Sequence, residues 1–347
     1  MITPGKLNPG DTVAAISLSW GGPGAFPHRY KAGKEQFIKA FGVNVVETTN
    51  ALRDPAWLAR NPEARADDLM EAFAEPRIKG IVSTIGGDES IRILPYVDLE
   101  IITANPKIVL GYSDTTVTHL ACYKAGLTTF YGPSFMSGFA ENGGMFPYME
   151  SAVRRSLFTA EPIGVVAPNT GGWTVERLDW ADPANQQRAR TLRQGGEWRF
   201  LSGAGVAEGR LIGGCLEVLS WLRGTPVWPN DQAFDGAMLF IETSEEAPSP
   251  EFVKRELRTY GAMGVLQRLT GILFGRPGGD VPAERFAEYD DAILQVVREE
   301  EGLDQMAIVT RMDFGHTDPM FVLPYGVRAR IDCDRRQFSI LESGVVE

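Results

Sequence analysis

The chain has 347 residues, 44% hydrophobic and 23% charged, an ordinary balance for a soluble globular protein with a sizeable core. Its 34 lysines and arginines against 45 aspartates and glutamates leave a formal net charge of −11, which argues against a general nucleic-acid surface. No run of about 20 apolar residues predicts a membrane span, and Met1-Ile2-Thr3-Pro4-Gly5 does not open a secretory signal, so a cytoplasmic protein is expected.

In chain order, Thr12 to Leu18 reads as a strand after Pro9-Gly10-Asp11. Tyr30 to Phe41 reads as a helix stopped by Gly42, and Val43 to Val46 as the next strand. Asn61-Pro62-Glu63 is a helix start, with a capping residue, a proline in the first turn and then an acid; that helix should run to about Ala74. Ile78 to Ile85 is a strand broken by Gly86-Gly87, and Ile108 to Leu110 is a strand feeding Gly111-Tyr112-Ser113-Asp114. A helix from Thr115 to Lys124 follows, ending at Gly126. This alternation predicts an α/β fold whose N-terminal domain, residues 1–160, is a mostly parallel doubly wound sheet. Ligands of such sheets bind beyond the carboxyl ends of the strands, where Gly86-Gly87 and Ser113 both lie.

From about Phe158 to Ala204 prolines, glycines and polar runs interrupt any long period. Residues 161–204 are read as a connecting segment with a loop or hairpin carrying Trp173, Trp180 and Trp198. Packing is the plainer role for these tryptophans, and lining a substrate cleft the alternative. The pattern restarts in a smaller C-terminal mixed β/α domain, residues 205–347. A helix over Cys215 to Leu222 follows Gly213-Gly214, and a strand over Ala237 to Ile241 ends at Glu242. A helix over Pro250 to Tyr260, a strand over Ile272 to Phe274 and a helix over Ala287 to Glu300 come next. The strand Ala307 to Met312 leads into Phe314-Gly315-His316, and Arg328 to Ile331 and Phe338 to Leu341 close the chain as a strand pair. Cys122, Cys215 and Cys333 are far apart with no CxxC pair, so they are read as reduced core residues rather than zinc ligands or a redox motif.

Ser113 sits at a strand-to-helix turn, where its hydroxyl would face a cleft and free backbone N–H groups could stabilise an oxyanion. A serine hydroxyl needs a base to take its proton, and histidine is the usual one. The chain has three. His119, six residues after Ser113 on the same helix, points about 240° away and sits about 9 Å along the axis. His28 lies in the loop after Gly21-Gly22-Pro23-Gly24 and keeps a minor claim. His316, beside a glycine at a strand end, is the best-placed base. The acid that would orient it is best supplied by Glu242, at the end of an apolar strand; Glu217 is the runner-up, and Asp313 and Asp318 stay open. Gly86, Gly87 and the Asp114 N–H are the candidate oxyanion donors, and Gly21 to Gly24 lacks the spacing of a dinucleotide fingerprint.

Five runs together resemble the LD-carboxypeptidase family of serine peptidases, in its microcin C immunity-type branch: Gly86-Gly87-Asp88-Glu89-Ser90, Gly111-Tyr112-Ser113-Asp114, Leu211-Ile212-Gly213-Gly214, Phe240-Ile241-Glu242 and Gly315-His316-Thr317-Asp318-Pro319. The resemblance implies a Ser113–His316–Glu242 triad without metal or cofactor, divided between two domains, and a homodimer. It implies cleavage of the bond between an amino-acid carboxyl and a sulfamoyl- or phosphoramidate-linked adenylate, with Asp88, Trp173 and Trp180 as substrate contacts. The other branch removes a terminal D-alanine from murein tetrapeptides, and usually carries an Arg-Gly-Gly-Tyr-Gly type turn where this chain has Ile85-Gly86-Gly87-Asp88-Glu89. A non-catalytic small-ligand-binding protein, with Ser113 as a helix cap, is the alternative of another class. The partners expected are thus a small-molecule or peptide-nucleotide substrate, with no nucleic acid and no membrane.

Overall fold

The computed structural model describes residues 1–347. Its strands are β1 Thr12–Ile16, β2 Asn44–Glu47, β3 Ile78–Ser83, β4 Ile108–Gly111, β5 Phe130–Tyr131, β6 Gly164–Val166, β7 Arg199–Ser202, β8 Val206–Cys215, β9 Ala237–Glu242, β10 Gly271–Gly275, β11 Ala307–Met312, β12 Leu323–Pro324, β13 Arg328–Asp332 and β14 Gln337–Ile340. They form two sheets, one ordered β12-β5-β4-β3-β1-β2 and the other β6-β14-β13-β8-β9-β10-β11-β7.

The first sheet is parallel from β2 to β5, with β12 added antiparallel at the edge. Successive residues of a strand point to opposite faces, and both faces here are covered. Val13, Ala15, Val82, Ile108 and Leu110 pack with Phe37 and Phe41 on one side. Ala14, Ile16, Ile81 and Val109 pack with Leu69 and Phe73 on the other. That two-sided burial is why these strands read as continuous apolar runs rather than alternating ones.

Helix Pro27–Phe41 stops where Gly42 takes a left-handed φ of 69°. Helix Pro62–Ala74 begins as expected with Pro62 and Glu63, but the Asn61 side chain does not cap it. Its amide donates back to the Trp57 carbonyl at 2.7 Å, closing the preceding short helix instead.

In the second sheet β8, β9, β10 and β11 run parallel, while β13, β14, β6 and β7 are antiparallel flanks. Residues 161–204 are therefore more than a connection: they supply both edge strands, β6 and β7. Turn-rich flanks hid these short strands from sequence periodicity. The helix expected over Ala287 to Glu300 is α-helical over Phe286–Leu294 and widens to a π-turn over Gln295–Glu300. No helix is long and apolar enough to cross a membrane.

The two sheets are tied together at the functional end. Val117, Leu120 and Ala121 of helix Thr116–Lys124 belong to the same buried cluster as Leu211, Ile212, Leu239 and Phe240 of the second sheet. The hydroxyl of Thr116 accepts the Cys215 N–H at 3.1 Å and donates to the Ser113 carbonyl at 2.7 Å. β12 meanwhile returns from the C-terminal part of the chain to pair with β5. The turn bearing Ser113 is thereby registered against the second domain.

Candidate active site

Ser113 lies two residues beyond the end of β4, after Tyr112, and its backbone φ of 59° is left-handed, a conformation rare for a residue with a Cβ. A sharp, strained turn of this kind lifts a serine hydroxyl clear of the sheet edge. Gly86 makes room for it. A Cβ at Gly86 would stand 2.9 Å from Ser113 Cβ and 3.0 Å from its Oγ, closer than side chains tolerate. The same hypothetical Cβ would lie 3.5 Å from the Asp114 nitrogen, so the Gly86-Gly87 turn and the Asp114 N–H border one spot beside the serine. The Asp114 carboxylate is buried and accepts the Ser90 N–H at 2.8 Å, which pins the chain just after that turn.

Glu242 ends β9 with its side chain wholly buried, and its Oε2 accepts from His316 Nδ1 at 2.7 Å. Gly315, at φ 93°, permits this approach, since a Cβ there would lie 2.6 Å from both Cγ and Oε2 of Glu242. The other carboxylate oxygen, Oε1, accepts a short hydrogen bond from the Tyr131 hydroxyl. The Tyr131 oxygen in turn accepts the Ser113 N–H at 3.1 Å.

His316 Nε2 faces Glu245 Oε2 at 3.1 Å, and no hydrogen bond joins His316 to Ser113. Burial alone would disfavour a charged imidazole here, but Glu242 and Glu245 outweigh it and hold His316 well above the usual histidine range. The bond from His316 prevails over burial at Glu245 and brings that carboxyl down to about 2.

The other candidates have separate tasks. His119 is fully buried; its Nε2–H donates to the Gly111 carbonyl at 2.9 Å and its Nδ1 accepts from Thr129 at 2.8 Å. Burial lowers it to about 4, so it is a neutral brace for the end of β4. His28 donates through Nε2 to the Trp180 carbonyl at 2.7 Å. Glu217 accepts the Ser244 N–H at 2.8 Å and makes no bond to His316. Asp313 is enclosed by Arg276, Trp198 and the Asn169 N–H, and Asp318 pairs with Arg190 at 2.8 Å.

Ser113 and His316 line one cavity of about 890 Å³, together with Gly86, Gly87, Tyr112 and Glu245. The lining also includes Trp20, Phe26 and Trp180, with Arg29, Arg177, Arg190 and Arg193 interspersed with Glu176, Asp280 and Asp318. Trp180 stands edge-on to Phe26, with ring centroids 6.0 Å apart, and the Arg29 guanidinium lies 4.8 Å from its ring centre. Trp173 is placed differently from expectation. It is 2% exposed, packs on Phe286 between Arg193 and Arg276, and does not reach the cavity. Asp88 is exposed and likewise outside the lining. Nowhere do three or more His, Cys, Asp or Glu side chains gather as a metal site.

Glu245, Tyr131, Trp20, Phe26 and the arginines were not identified from sequence. Only Glu245 carried a signal, lying three residues beyond Glu242 in the loop after the same strand.

The LD-carboxypeptidase N-terminal domain matches residues 13–132, and the LD-carboxypeptidase C-terminal domain matches residues 208–331. The chain belongs to the LD-carboxypeptidase family. Within that family it is similar to the microcin C7 self-immunity protein MccF of Escherichia coli, at 29% identity over 96% of this chain and 94% of that protein. A structure of MccF with aspartyl sulfamoyl adenosine superposes with a TM-score of 0.82 at 27% identity, covering 100% of both chains. The MccF-like protein of Streptococcus pneumoniae, solved with AMP, gives a TM-score of 0.86 at 30% identity, covering 95% of this chain and 98% of that one. A Bacillus subtilis relative named "probable murein peptide carboxypeptidase" is 26% identical over 99% of this chain and 95% of its own length. The LD-carboxypeptidase fold thus accounts for both sheets of this molecule and for the two halves that meet at the cavity.

Proposed function

We propose that this LD-carboxypeptidase family member is a serine hydrolase using a Ser113–His316–Glu242 triad. In this reading it cleaves the amide-type bond between an amino-acid carboxyl and a modified nucleotide. The observation that carries the reading is the single cavity shared by Ser113, on its left-handed turn, and His316, paired with Glu242 at 2.7 Å. Trp20, Phe26 and Trp180 in the lining favour a substrate with a flat, stackable end. Relatives bound to AMP and to aspartyl sulfamoyl adenosine support the same choice.

The chemistry proceeds through an acyl-enzyme. His316 first loses its Nε2 proton to solvent and gives up Glu245; the free Nε2 then turns to Ser113 and takes its proton as Oγ attacks the carbonyl carbon. Asp114 N–H and the Gly86-Gly87 turn receive the oxyanion. The proton on Nε2 passes to the leaving nitrogen as the carbon–nitrogen bond breaks. Water, deprotonated by the same nitrogen, then releases the amino acid and restores the Ser113 hydroxyl. The enzyme works in the cytoplasm as a homodimer in this reading, and light scattering checks the assembly.

The test is parallel incubation with an aminoacyl sulfamoyl adenosine and a murein tetrapeptide, read by mass spectrometry. Release of the amino acid from the first substrate is the expected result. Cleavage of the tetrapeptide alone would move the protein to the murein branch, and cleavage of neither would favour a binding protein.

A further inference from the structure

Glu242 accepts hydrogen bonds from two side chains, His316 on Oε2 and Tyr131 on Oε1. Tyr131 belongs to the first sheet, 111 residues before Glu242 in the second, and its hydroxyl reaches both the acid and the backbone of the nucleophile turn. Its ring is wholly buried, with Tyr112 edge-on at 6.4 Å, His119 at 5.9 Å and Phe240 at 5.5 Å. β5 is held between β4 and β12, in register with Gly111 and Leu323. The phenol is therefore fixed from every side, and its single proton has one acceptor, because the only other group bonded to it is a donor, the Ser113 N–H.

We propose that Tyr131 is the positioning residue that holds the two halves of the catalytic apparatus in register. It clamps Glu242 so that Oε2 faces His316, and it anchors the Ser113 backbone on the same oxygen atom. This assignment rests on the triad reading above. It has a chemical corollary: with the Ser113 N–H committed to Tyr131, that N–H does not serve the oxyanion, which is left to Asp114 and the Gly86-Gly87 turn. A carboxylate that loses a neutral hydrogen-bond donor becomes more basic and attracts an imidazolium more strongly. Besides His316 and Tyr131, the titratable groups that sense this carboxylate are Cys215, Glu217, Tyr112 and Tyr325. None of these four bonds to it in the structure.

The test is Tyr131→Phe in the full chain, assayed with whichever substrate the wild type cleaves and set beside Glu242→Gln. A fall in kcat of about 100-fold is expected, as for reacting groups misplaced by about an ångström. KM should stay within about twofold, because Tyr131 does not line the cavity. The acidic limb of the kcat/KM profile, which reports His316 between Glu242, Glu245 on Nε2 and the Tyr112 ring, should move to higher pH. A loss of kcat with an unmoved limb would mean a merely structural tyrosine and overturn the proposal, as would unchanged kcat. If Glu242→Gln itself leaves turnover intact, the triad reading fails first, and Tyr131 with it. Should Tyr131→Phe not fold, 3-fluorotyrosine at position 131 carries the test. It keeps the hydroxyl and is the stronger donor, so kcat should survive while the acidic limb moves to lower pH; an unmoved limb refutes the proposal.

Discussion

Glu245 occupies the imidazole nitrogen of His316 that a serine-activating base would turn toward Ser113, at 3.1 Å. His316 is thus held between two carboxylates, Glu242 on Nδ1 and Glu245 on Nε2, and its charged form is favoured at rest. Glu245 is the more accessible partner of the two: its side chain is 48% exposed, whereas that of Glu242 is fully buried. A proton must leave His316 before it can act as a base, so the reaction should run faster as pH rises through the raised value.

Replacing Glu245 with Gln should therefore move the acidic limb of kcat/KM to lower pH, by about one unit. A pH–rate profile on both proteins measures it directly. An identical limb would show that Glu245 leaves His316 before substrate binds.

The same pair should appear in thermal stability. His316 is raised on folding, so its contribution is complete below the unfolded histidine value of about 6.5 and is lost as pH climbs through the raised folded value. Glu245 is lowered, so its contribution is present above the unfolded value of about 4.3 and is lost as pH falls toward about 2. The two windows overlap between about pH 4.3 and 6.5. Calorimetry of Glu245→Gln should show its largest drop in Tm there and a smaller one at alkaline pH.

Ser113→Ala should lower kcat at least about 1000-fold while leaving Tm near that of the wild type. A serine-reactive fluorophosphonate should label the wild type and not the variant. Labelling at another residue would displace Ser113 as nucleophile.

Gly86→Ala tests the turn beside Ser113. The added methyl would meet Ser113 Cβ at 2.9 Å, so either the serine or the turn must shift. A fall in kcat of about 100-fold is expected, with substrate affinity largely kept. Equal losses in binding and turnover would place the methyl in the substrate's path instead.

Trp180→Ala bears on substrate class. Stacking on an aromatic ring contributes about 1–3 kcal/mol per base. KM for an aminoacyl nucleotide should then rise roughly 5- to 150-fold. A murein peptide, with no base to stack, should be little affected. Equal KM values for the nucleotide substrate in both proteins would remove Trp180 from its recognition.

Much of the candidate site could be read along the chain because its signals are local. A strand, a turn and a helix within some fifteen residues mark Ser113; a glycine beside a histidine at a strand end marks His316; and an acid closing an apolar strand marks Glu242. Both faces of β1, β3 and β4 are buried, so their continuous apolar runs announce a parallel sheet covered by helices. The contacts between these signals are not local. Tyr131 is an unremarkable aromatic in a two-residue strand until β12 returns to pin it beneath Glu242. Trp173 and Trp180 lie seven residues apart in one polar loop, yet pairing with Arg193 buries the first while the second is held over the cavity by His28. Residue types and periods mark out the chemistry and the layers; hydrogen bonds between residues far apart in the chain, such as Glu242 with His316 and with Tyr131, settle which groups meet, because a buried donor or acceptor takes the partner that folding brings to it.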